Sequence, residues 1–148
     1  MKAQRMTHPV IQIRSASFLP GYLFALQAIY CIASLVHFVH NAQFIAEYPN
    51  LPAWLTSSKV YLAWVAVTSV GAAGAAVALS GRRVPGLLLI TGYAALGFAG
   101  LDHYTRAPAS AHTLAMNATI AFEVASAAAL LAVSVTLLLG LIRGSAGK

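Results

Sequence analysis

Charge is scarce in this sequence, and acid is scarcer still. Only 8% of its 148 residues are charged, and just three carry carboxyl side chains: Glu47, Asp102 and Glu123. Soluble domains average roughly 25% charged residues. Cys31 is the single cysteine, so no intrachain disulfide and no CxxC centre can form, which excludes thiol–disulfide exchange. The net charge of +6 comes without a basic run or an aromatic-basic face, and that removes nucleic acid as a partner. No low-complexity tract, soluble domain or internal repeat is visible. Without a repeat, an inverted-repeat transporter is not indicated.

What is abundant is apolar: 59% of the residues are hydrophobic. A chain of this length forms one domain and buries only part of its surface, so the surplus must face lipid. Four apolar stretches lie near the roughly 20 residues that cross about 30 Å of hydrocarbon. They predict helices over about 18–46, 59–79, 85–104 and 111–142. Pro20 and Gly21 suit the first helix start, while Pro49 and Pro52 end that helix in a loop with Trp54. Ser57 and Ser58 are the expected caps of the second helix. Ser80 to Arg83 forms a turn, Pro85 fits a first helical turn, and Pro108 and Ser110 break and recap the chain. The expected fold class is all-α and integral to the membrane. It comprises one domain over 1–148, a four-transmembrane-helix antiparallel up-down bundle.

A basic tail before the first span resembles a signal peptide. The apolar stretch is too long for one, however, and lacks an A-x-A site, so the span is expected to be retained. Beside the spans, Lys2, Arg5, Arg14, Arg82, Arg83, Arg143 and Lys148 fall on one side, against Lys59 and Arg106 on the other. Seven against two predicts that both termini are cytoplasmic, with the chain in a bacterial inner (plasma) membrane. Gly and Ala in the second and third spans predict close helix packing.

Polar groups inside a membrane are costly and tend to be functional. Gln27, Tyr30, Ser34, His37 and Asn41 are spaced by 3, 4, 3 and 4 residues, which keeps them within an arc of about 80° on one inward face. His40 flanks that stripe. Asp102, His103 and Tyr104 end the third span, and Thr91, eleven residues earlier, is expected on the face of Asp102. His112 and Glu123 are also eleven apart, which predicts stacking on one helix face about 16 Å from each other. Four of the five histidines therefore gather with two carboxyl groups at one membrane side, leaving His8 in the tail.

Imidazole and carboxylate suit a transition metal such as iron, copper or zinc. His37, His40, His103 and His112 are the candidate metal ligands, with Tyr30 and Asn41 as cofactor-binding residues and Glu123 and Asp102 as catalytic groups. Haem held between helices is the other cofactor expected. Either cofactor points to redox or metal-dependent chemistry on a small lipophilic molecule. A metal-free alternative pairs Glu123 with a histidine, for acid–base work or as a proton-coupled transporter. A third class is an accessory subunit of a larger membrane complex, or a homo-oligomer. Each polar residue also has a structural reading. Interfacial histidines can bond headgroups, Asp102 can pair with Arg106, Asn117 can bond across helices, and Glu47 and Lys59 can be interfacial. The stripe Tyr61, Trp64 and Thr68 reads as packing or an aromatic belt.

Overall fold

The four apolar stretches become helices. A computed structural model describes residues 19–146, with side chains to 144, and no strand occurs among them. His8, Lys2, Arg5, Arg14 and Lys148 lie outside the described residues. Helix α1 spans Gly21–Gln43, α2 spans Ser57–Leu79 and α3 spans Arg83–Leu96. A 3₁₀ stretch, Gly97–Leu101, carries α3 into the short α4, Asp102–Arg106, and α5 runs over Leu114–Ala146. With α3 and α4 taken as one run, four segments are long and apolar enough to cross a membrane.

Helix ends differ from the sequence expectation by a few residues, each for a local reason. The first helix stops at Gln43 rather than 46, and turns through Phe44 and Glu47 that bury the next aromatic, Tyr48. At the start of α2, Thr56 is the cap, its Oγ1 accepting from the Lys59 amide at 3.4 Å. The expected cap Ser57 instead donates to the Ala42 carbonyl at 2.7 Å, tying α2 back to the end of α1. Before α5 it is Thr113, not Ser110, that accepts from a helix amide, that of Met116 at 3.2 Å. A single 3₁₀ turn at Ala109–Ala111 leaves His112 extended, outside the helix.

At Gly97, where the 3₁₀ stretch begins, the backbone presses against its neighbours. An added Cβ would stand 2.6 Å from the Tyr30 hydroxyl and 2.5 Å from Ala127 Cβ. Tightening to 3₁₀ geometry advances each residue by about 120° instead of 100°. Thr91 and Asp102 consequently part company: Thr91 donates to Ser134 Oγ on α5 at 3.1 Å, while Asp102 is exposed.

α1 packs against α2 and α5, and α3 also packs against α2 and α5, so the four long segments close a ring. Inside it Leu23, Tyr30, Leu87, Ile90, Tyr93 and Leu130 are fully buried. Outside it Ile32, Leu62, Val65, Leu88 and Ile142 are exposed. That outer apolar face is the surplus the composition requires lipid to cover.

Candidate functional site

The inward stripe of α1 forms as its spacing predicts. Tyr30, Ser34, His37 and Asn41 are all buried, and Gln27 donates to the Gly71 carbonyl on α2 at 2.7 Å. His37 is the hinge of the site. Its Nδ1 lies 3.3 Å from Thr119 Oγ1, whose own hydroxyl donates to the Met116 carbonyl at 3.0 Å. Thr119 has spent its proton there, so it accepts from His37 Nδ1–H, and the Nε2 lone pair is left to face Glu123. Nε2 and Glu123 Oε2 are 3.7 Å apart, both on buried side chains.

Around this pair several other polar groups hold partners. Asn41 Nδ2 donates to His103 Nε2 at 3.2 Å, and the His103 ring meets that of His37 edge-on at 5.4 Å. The His112 Nδ1–H donates to the Pro108 carbonyl at 3.1 Å. Tyr104 donates to Asn117 Oδ1 at 2.9 Å, and Asn117 Nδ2 reaches the carbonyls of Ala109 and His112, fixing the entry to α5. Tyr48 lies in the loop after α1 and stacks on His103 at 4.8 Å. Burial pushes its phenol up to about 12, so it keeps its proton at neutral pH and donates to His40 Nδ1 at 2.9 Å.

Beside the pair opens a cavity of about 330 Å³. His37, Asn41, His103 and Glu123 form its polar wall, and Val60, Val67, Leu96, Leu51 and Leu55 are among its apolar lining. Asp102, Arg106 and Trp54 border it from exposed positions. Asp102 and Arg106, four residues apart, make no ion pair within 4.0 Å. The loop over the cavity is tied down at two points. Asn50 donates to the Arg106 carbonyl at 2.8 Å, and Lys59 Nζ donates to the Trp54 carbonyl at 2.8 Å while lying 5.2 Å from the Trp54 ring centroid.

Of the residues expected at a site, His37, Asn41, Asp102, His103 and Glu123 meet at this cavity. His40 and His112 do not line it; they stand behind Tyr48 and His103. Tyr30 lies deeper, its ring 4.5 Å from that of Tyr93 in the core. The expected stacking of His112 over Glu123 on one helix does not occur, because α5 begins two residues after His112. Sequence reasoning overlooked Tyr48, Thr119 and the loop residues around Trp54. Thr119 was detectable, since it precedes Glu123 by four residues and so shares its face. Tyr48 was not, because a loop tyrosine carries no periodicity.

The donor set does not fit a metal centre of three protein ligands. Among the described residues no three His, Cys, Asp or Glu side chains are grouped so as to hold a metal ion. Hydrogen bonds turn the ring nitrogens apart, toward Asn41, Thr119, Tyr48 and Pro108. The arrangement sets a histidine and a carboxyl group side by side at a mostly apolar cavity. No protein family, curated protein or solved structure matches the chain.

Proposed function

We propose that this chain is a membrane-embedded acid–base site that relocates a carbon-bound proton on a small lipophilic molecule. The observation that carries the reading is the buried His37–Glu123 pair, 3.7 Å apart, on the wall of a cavity otherwise mostly apolar. Protons on oxygen or nitrogen exchange with water unaided, whereas a proton on carbon needs a positioned base. In the reaction proposed, the Glu123 carboxylic acid gives its proton to one carbon of a C=C bond and, as the carboxylate, removes a proton from the allylic carbon on the other side. One C–H bond forms, one breaks and the double bond moves by one position. The His37 Nε2 lone pair stands ready to hold the proton between the two transfers. Atoms balance without a co-reactant. The spacing leaves room to tighten around substrate, as unliganded sites often do.

The same proposal has the helices running up and down through a bacterial inner membrane, with both termini cytoplasmic and the cavity facing outward. Its support is the imbalance of seven basic residues against two, and the bond joining the end of α1 to the start of α2 at Ala42 and Ser57.

Membranes holding the full chain would be incubated in D₂O and their lipid extracts read by mass spectrometry. Deuterium entering a lipophilic species with the wild type, and not with Glu123→Gln, is the expected result. Equal incorporation in both would end the acid–base reading. Metal content and the visible spectrum of the same preparation give a second check. A stoichiometric metal or haem lost in a His37→Ala/His40→Ala variant would replace this reading with a cofactor-dependent one.

A further inference from the structure

Two residues that line the cavity each have a buried polar atom without a hydrogen-bond partner: Asn41 Oδ1 and Glu123 Oε2. Their side chains belong to residues only 9% and 2% exposed, so bulk water does not satisfy them. Leaving such groups unpaired is costly, and a ligand that pairs them is favoured accordingly. The chemistry of the two atoms narrows what that ligand can be. The Asn41 amide nitrogen is already committed to His103, which leaves the amide oxygen, and an amide oxygen only accepts. Any group that satisfies it must bring an N–H or O–H.

From this we infer that the molecule bound here is an uncharged lipophilic alcohol, its hydroxyl donating to Asn41 Oδ1 and resting beside the Glu123 carboxyl. The inference deepens the acid–base reading and rests on it for the location of the site. A protonated amine fits less well. It brings a full positive charge, whose hydration is costly to lose, into a cavity whose lining is mostly apolar. A hydroxyl brings one donor, and its lone pairs can accept from the carboxyl when that group holds a proton. Asp102 and Arg106 at the border oppose each other in charge, so the opening offers no net attraction to an anion or a cation. The remaining wall is mostly apolar, and 330 Å³ sits at the small end of the roughly 300–1,000 Å³ that ligand pockets occupy.

The test is equilibrium binding to the full chain in lipid nanodiscs, with geraniol, its methyl ether and geranylamine as probes. Quenching of Trp54 is followed in a Trp64→Phe background, which leaves one tryptophan, and thermal shift of the wild type gives an independent readout. Geraniol is expected to bind about tenfold more tightly than the ether, the cost of an unanswered buried acceptor. In Asn41→Ala that preference should shrink to about twofold or less, and in Glu123→Gln, which keeps the side-chain shape, the Asn41 contribution should persist. Equal binding of alcohol and ether would overturn the alcohol assignment, and so would tighter binding of the amine. Either result could coexist with Glu123-dependent deuterium incorporation, in which case the acid–base reading stands alone. Failure of all three probes to bind overturns the inference too, while equal deuterium incorporation by wild type and Glu123→Gln identifies failure of the underlying reading.

Discussion

The two halves of this bundle are built on opposite terms. Around Leu23, Leu87, Leu130 and Leu138 the core is apolar, and its cross-helix polar contacts include Thr91 with Ser134 and Gln27 with the Gly71 carbonyl. Around His37, Asn41, His103, His112 and Glu123 the interior is polar, and three of those residues keep an unpartnered buried atom. Burying polar atoms works against stability, and apolar residues of similar size would pack there without that cost. The first half holds the helices together; the second gives up stability to keep polar groups in its interior.

The largest effect that would sharpen this contrast is on activity. Glu123→Gln should lower proton exchange by about 10²–10⁴-fold, the usual worth of a positioned acid–base group, while leaving the thermal midpoint unchanged or raised. An inactive variant that also melts early would make Glu123 part of the scaffold instead. Next in size is Gly97→Val, at the boundary between the halves. Its side chain must displace Tyr30 or Ala127, and a loss of about 3 kcal/mol is expected in detergent unfolding. An unchanged midpoint would mean that the close approach is not maintained.

Alkaline titration should single out the polar half. Tyr48 has its phenol raised from the ordinary value near 10 to about 12, so the folded state favours the protonated form. The stability this contributes is complete below pH 10 and disappears as pH climbs through 12. Wild type should therefore lose more thermal stability than Tyr48→Phe across that interval, and parallel curves would rule Tyr48 out as the cause. The smallest effect concerns the loop. Asn50→Ala removes its bond to the Arg106 carbonyl and should cost about 1 kcal/mol locally. Amide exchange should quicken over residues 48–55 and stay constant in α3 and α5; a uniform increase would show that the loop is no separate unit.

Much of this was legible in the residues. The stripe from Tyr30 to Asn41 is a matter of 3.6-residue periodicity, and all four of its members from Tyr30 onward are buried as that period requires. The candidate pair was half visible: His37 and Glu123 stood out as polar groups within apolar spans, though nothing in their spacing said that they meet. Two register arguments failed for one reason. They assumed unbroken α-helix, and the 3₁₀ stretch at Gly97 and the extended residue at His112 both break the 100° count. Cap residues were misassigned because Ser57 and Thr56 compete for one position, and the Ala42 carbonyl, from another helix, decides between them.

The sequence by itself determined the four apolar helices, because length and hydrophobicity act locally and answer to the solvent rather than to distant residues. Which histidines share a cavity, which nitrogens keep a free lone pair, and which carboxyl stands opposite His37 were decided only by tertiary structure. Those facts depend on hydrogen bonds and helix contacts between residues as far apart as His37 and Thr119, and no local pattern encodes them.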